Sequence, residues 1–151
     1  MSVRLHLIAH NIRSRENVGS LFRTADSLGV TKLWLSGYTP VPPDSKISKV
    51  ALGAEAAVPF EAFPSIEEVL TRLQAQQIPV YALELTSDAI NLKDFDPPEE
   101  LALLLGTETT GIPPSLLERC LASIYIPQQG MKESLNVTIA TAIAAWKILQ
   151  H

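Results

Sequence analysis

A chain of 151 residues, 46% apolar and 19% charged, is sized and composed for a single globular domain with a substantial core. It has no apolar run near the roughly 20 residues that span a bilayer. Residues 1–11 lack the apolar region and small-residue cleavage site of a secretory signal. One cysteine, Cys120, excludes an internal disulfide and a cysteine-cluster metal site, so a cytoplasmic protein is expected. The net charge of −4 divides unevenly: residues 1–50 carry a balance of +4 and the rest −8. A basic front third on an acidic body suits either a solvated face or a local phosphate-attracting surface.

In chain order, Leu5–Ala9 reads as a short strand. Asn17–Leu28 reads as a helix, with Val18, Leu21, Phe22, Ala25 and Leu28 on one face and Gly29 as its stop. Lys32–Ser36 is a second strand, Gly37–Pro43 a turn-rich loop and Ala57–Phe60 a third strand. Ser65 caps a helix reaching about Gln77, with Glu68 completing a capping box. Val80–Leu85 and Leu101–Leu105 are strands on either side of an irregular segment at 91–100. Ile124–Ile126 is a last short strand, and Ser134–Leu149 is a terminal helix.

Such alternation predicts one α/β domain over residues 1–151, with a mainly parallel sheet covered by helices on both faces. The unbroken apolar run Leu101–Leu105 belongs at the centre of that sheet. Ligands of open parallel sheets gather at the carboxyl ends of strands, which singles out the segments after Leu105 and Ile126. The terminal helix has Lys147 as its one charged residue. Leu135, Ile139, Ala142, Trp146 and Leu149 make one apolar stripe; Val137, Ala140, Ala144 and Ile148 make another. A helix apolar on two sides needs cover on two sides, and a second copy of the chain is the simplest partner for the outer one.

Three segments carry candidate chemistry. In Asn17-Val18-Gly19-Ser20-Leu21-Phe22-Arg23, Asn17 suits a helix N-cap and Arg23 suits a surface pair with Asp26. Equally, Gly19 permits close approach of a backbone or substrate, and Arg23 offers a planar fork for phosphate. In Gly106-Thr107-Glu108-Thr109-Thr110-Gly111-Ile112-Pro113, two glycines bracket a polar turn at the end of the buried strand, where backbone groups can reach a small ligand. Neither a dinucleotide fingerprint nor a P-loop fits this spacing. Glu108 there is either a ligand group or a fastener of its own loop. In the third segment, from Ile126-Pro127 to Ser134-Leu135-Asn136, a strand gives way to a turn and then to the last helix. Ser134 alone is a good N-cap; a nucleophilic serine is disfavoured, because the GxSxG elbow is missing and only His6, His10 and His151 could serve as bases.

Taken together and in this order, Asn-x-Gly-x-x-x-Arg, Gly-x-Glu-x-x-Gly and Ile-Pro…Ser-Leu-Asn resemble the three motifs of the SpoU/TrmH family of RNA ribose 2′-O-methyltransferases, within the SPOUT superfamily. The resemblance covers the whole chain, which looks like a bare catalytic domain. It implies a sheet whose carboxy-terminal part is threaded into a deep trefoil knot, a rare exception to ordinary topology. It implies S-adenosylmethionine as methyl donor, released as S-adenosylhomocysteine, with no metal. The donor would be held near Leu83, Gly106, Ile126 and Leu135. The resemblance further implies a homodimer and an RNA substrate, either tRNA or rRNA. Asn17, Arg23, Glu108, Ser134 and Asn136 fall on the family's functional positions. Arg13, Arg15, Lys46 and Lys49, with Arg4, are the expected contacts to the RNA backbone. The competing readings are a non-catalytic RNA-binding or assembly factor with this fold, and a small-molecule binder or hydrolase on an unknotted sheet.

Overall fold

The computed structural model describes residues 2–107, 110–130 and 135–151. Seven strands form one sheet: β1 (Arg4–His10), β2 (Lys32–Ser36), β3 (Phe60–Phe63), β4 (Val80–Leu83), β5 (Ile90–Asn91), β6 (Glu100–Leu105) and β7 (Ala122–Tyr125). Their order is β3-β2-β1-β6-β4-β7-β5, and every pairing is parallel. The helices are α1 (Arg15–Leu28), α2 (Ser45–Ala51), α3 (Ala54–Ala57), α4 (Ile66–Ala75), α5 (Pro114–Leu117) and α6 (Val137–Ile148).

Alternation along the central strands divides the interior in two. Leu5, Leu7 and Ala9 of β1 and Leu101, Leu103 and Leu105 of β6 face a core shared with α1, α2 and α6. Ile8, Ala102 and Leu104 face the opposite core, closed by Val69, Leu70 and Leu73 of α4 and Leu116 of α5. Burial on both faces is what the run without polar alternation requires. His6, on the second face, is buried and engaged at both ring nitrogens. Its Nδ1 accepts from Trp34 Nε1 at 3.0 Å, which leaves Nε2 as the donor to Glu100, 2.7 Å away.

Several elements differ from expectation. Ser14, not Asn17, caps α1, its hydroxyl accepting from the Asn17 backbone N–H at 3.1 Å. The third strand runs three residues later than expected, because Ala54 and Val58 bury themselves through the short α3. The helix α2 has only Ile47 and Ala51 buried, too few positions to display a period. The last helix is capped by Asn136, whose Oδ1 accepts from Thr138 N at 2.8 Å. Ser134 and Glu108 lie outside the described residues.

Gly19 is explained by the packing of α2 on α1. A Cβ there would lie 2.7 Å from the Ile47 carbonyl oxygen and 2.9 Å from Val50 Cβ, so the close approach concerns backbone of the same chain. Overpacking of this kind costs about 1–3 kcal/mol. Gly19→Ala should therefore lower the melting temperature by roughly 2–12 °C, at about 2–4 °C per kcal/mol for a domain of this size. A thermal scan identical to wild type would mean that α2 does not rest on α1 at this point.

Candidate active site at the strand tips

The register brings three of the sequence-predicted donor positions to one edge. Leu83 ends β4 opposite Leu105 of β6 and Ile124 of β7. Gly106 and Ile126 therefore leave the sheet on either side of Leu83. The loop after β6 folds back on itself: Thr107 bridges to Gly111, and the Thr107 hydroxyl accepts from Thr110 N at 3.1 Å.

Glu84, which the sequence reading passed over, fastens this loop. Its Oε2 accepts from the backbone N–H of Ile112 at 3.0 Å. A Cβ on Gly106 would come within 3.3 Å of the same oxygen, and one on Gly111 within 2.7 Å. Gly111 also sits at φ +71°, where a side chain is strained. The two glycines thus admit a carboxylate from the neighbouring strand. A lone acid just past a strand carries no local pattern, so only the tertiary placement reveals it.

Main-chain groups at three adjacent strand tips are available for the polar edges of a ligand, and the Glu84 carboxylate supplies negative charge. Apolar surface remains uncovered just past β4, where Leu85 is 70% exposed. Leu83 and Ile126 are half-buried against the core under α6.

Arg23 lines a different surface from this cradle. Arg23 is exposed on α1 and lines a groove of about 490 Å³ with Ser20, Thr24, Thr138, Ile139, Ala142 and Trp146. This groove runs between α1 and α6 and does not include the strand tips. On α6, Thr141, Ala144, Ala145 and Ile148 are buried, whereas Ile139, Ile143 and Trp146 are exposed at 52%, 41% and 56%. The helix is apolar on both sides and covered on one.

Of the basic residues, Arg15 pairs with Asp44 at 2.8 Å. Burial pulls the Asp44 carboxyl upward, but bonds from the Ile47 and Lys46 N–H groups and the Arg15 charge outweigh it and hold it below the usual carboxylate range. Lys46 and Lys49 are exposed on α2. Arg4 does not join them: it pairs with Glu100 at the opposite end of β1, about 20 Å from the tip at roughly 3.3 Å for each step from Arg4 to His10. At that tip, His10 Nδ1 lies 2.9 Å from Ser36 Oγ, and burial lowers the His10 pKa below its ordinary value, favouring the neutral ring.

A parallel α/β sheet with a glycine-bracketed loop after its central strand, at the carboxyl edge, defines a cofactor- or nucleotide-binding α/β protein. More narrowly, the chain matches the SpoU rRNA Methylase family over residues 4–146 and belongs to that family. It is 32% identical over 146 residues to the tRNA (guanosine(18)-2′-O)-methyltransferase TARBP1 of Mus musculus, covering 95% of this chain and 9% of that protein. It is 28% identical over 147 residues to the 23S rRNA (guanosine(2553)-2′-O)-methyltransferase RlmP of Bacillus subtilis, covering 97% of this chain and 58% of that one. Among solved structures, the AdoMet-bound rRNA methyltransferase of Sinorhizobium meliloti superposes with a TM-score of 0.90 at 27% identity, over 100% of this chain and 57% of that one. The chain thus spans well under two thirds of each of these three relatives. No described helix is long and apolar enough to cross a membrane.

Proposed function

We propose that this chain transfers a methyl group from S-adenosylmethionine to a ribose 2′-hydroxyl of tRNA or rRNA, in the cytoplasm, with residues 1–151 acting as one catalytic domain. The observation that carries the reading is the cradle of Gly106, Gly111 and Glu84 at the central strand tip, in a chain whose whole length superposes on an AdoMet-bound relative. When bound, the donor supplies an electrophilic methyl group on sulfur and leaves as S-adenosylhomocysteine. Main-chain groups near Leu83, Gly106, Ile126 and Leu135 hold it, and Glu84 keeps the loop over β6 in place. Glu108 and Ser134 are assigned to the same pocket from the family motifs.

The chain's remaining task is to align the 2′-OH and assist loss of its proton. Alignment can be worth several kcal/mol of barrier. The Arg23 guanidinium offers five N–H donors and no acceptor, so it acts as a donor and not as a base. It therefore binds the adjoining phosphate and steadies charge developing on the 2′-oxygen, while the proton passes to that phosphate or to solvent. Asn17 and Asn136 orient Arg23 and the ribose. Arg13, Arg15, Lys46 and Lys49 contact the RNA backbone.

Two structural proposals accompany the chemistry. The chain from β6 through α6 is threaded as a deep trefoil knot; β6 and β7 flanking β4 in the sheet support this. A second copy covers Ile139, Ile143 and Trp146, which places Arg23 in the α1–α6 groove where it can serve the partner's site. A methyl-transfer assay with labelled S-adenosylmethionine and bulk RNA tests the reading, with the product digested to nucleosides. Label in 2′-O-methylated nucleosides is the expected result. Donor binding without transfer to any RNA would instead make this a non-catalytic RNA-binding factor.

A further inference from the structure

Nine side chains are aromatic, and two of them are exposed: Trp146, on the uncovered face of α6, and Tyr38, at 58%. Tyr38 is displayed by a turn that is tightly built on both sides of it. Its backbone N–H donates to Asn11 Oδ1 at 3.1 Å. Asn11 adopts φ +55° to make this bond, and Gly37 adopts φ +65°. A Cβ on Gly37 would fall 1.9 Å from Asn11 Oδ1 and would have to displace the amide that holds the Tyr38 N–H. On the far side, Thr39 is buried, its hydroxyl donating to the Ala9 carbonyl at 2.9 Å and accepting from Ile12 N at 3.0 Å. Left-handed backbone at a non-glycine residue persists only where surrounding bonds hold it, and such sites concentrate where function needs a fixed group.

The neighbourhood says what the ring is fixed for. The guanidinium of Arg13 lies 5.9 Å from the ring centroid, within cation–π reach. Tyr38 follows β2, whose tip stands two strand spacings, about 10 Å, from the β6 tip that carries Gly106. An exposed ring on a fixed turn beside a cation, at the same sheet edge as the proposed methyl-donor cradle, matches the platforms on which unpaired bases stack. From this juxtaposition we infer that Tyr38 is a stacking site for an unpaired RNA base close to the ribose that is methylated. The inference rests on the RNA substrate proposed above. Stacking tolerates any base, so the site contributes affinity and register while leaving sequence choice to other contacts.

Binding of bulk tRNA, of a short single-stranded oligoribonucleotide and of its abasic counterpart tests the assignment. Tyr38→Ala should weaken the tRNA and the base-bearing oligonucleotide about tenfold and leave the abasic one unchanged. Tyr38→Phe keeps the ring and should bind like wild type. Because no phosphate contact is lost, the salt dependence of binding should be unchanged in Tyr38→Ala, whereas Lys46→Gln should reduce the slope by about 1. Donor affinity by calorimetry should match wild type in both Tyr38 variants, which also reports an intact fold. Unchanged RNA binding in Tyr38→Ala overturns the inference while the methyltransferase reading stands. If self-association falls instead, Tyr38 is a protein contact and the inference is equally overturned. A wild-type protein that binds none of the three RNAs overturns the inference, and the labelled-donor assay on bulk RNA then decides the methyltransferase reading separately.

Discussion

Arg23→Ala is expected to lower methyl transfer by a hundredfold or more while the affinity for S-adenosylmethionine stays within about twofold of wild type. Loss of one donor aimed at developing negative charge costs about 10²–10³ in rate. Two facts separate that loss from damage to the fold or to the donor pocket. Arg23 is exposed and belongs to neither core cluster. It lines the α1–α6 groove, apart from the Gly106–Gly111 cradle. Arg23→Lys should recover only part of the rate, because an ammonium cannot present two parallel donors to a phosphate. Equal loss of rate and donor affinity would instead put Arg23 in the donor pocket. If the partner supplies Arg23, mixing Arg23→Ala with a donor-site variant such as Glu84→Ala should restore activity. One of the two sites in such a mixed dimer has an intact cradle and receives an intact arginine. Arginine acting within its own chain predicts no recovery from the mixture.

How far the fold was legible depended on how much of each element is buried. Leu101–Leu105, buried on both faces, stood out as the central strand, and the stripe of α1 with Gly29 as its stop matches the observed helix. Lys32–Ser36 is the observed β2. In contrast, Phe60–Phe63 is an edge strand with Glu61 and Ala62 exposed, so its pattern was weaker than that of the neighbouring Ala54–Val58 turn. The segment 45–51 buries one short stripe and was passed over for the same reason. The two-sided apolar character of α6 was visible because every position of a helix contributes to it. Gly19 was legible as a demand for close approach, but not as to what approaches; that depended on the unforeseen α2. The strand tips were singled out by topology alone. Glu84 and the Asn11–Gly37 turn did not, because both depend on contacts between segments 26 to 28 residues apart.

Glu84 is where the second large effect is expected, and it is to be read in donor affinity before turnover. Glu84→Ala removes the acceptor of the Ile112 N–H, a residue only 7% exposed. A buried donor left without its partner costs about 1–3 kcal/mol, and the loop can recover that bond only by moving. If the loop forms one wall of the proposed donor site, the dissociation constant for S-adenosylmethionine should rise about tenfold or more. Glu84→Gln retains an oxygen acceptor of nearly the same shape and should stay within a few-fold of wild type. Gly111→Ala should weaken the donor comparably by another route: it imposes a side chain at φ +71° and drives a Cβ to 2.7 Å from Glu84 Oε2. These two lesions converge on one contact, so the double variant should lose less than the sum of the singles. Full additivity would mean that Glu84 and Gly111 act separately. Wild-type affinity in Glu84→Ala would show that the loop keeps its place without the carboxylate, and that the glycines serve the ligand alone.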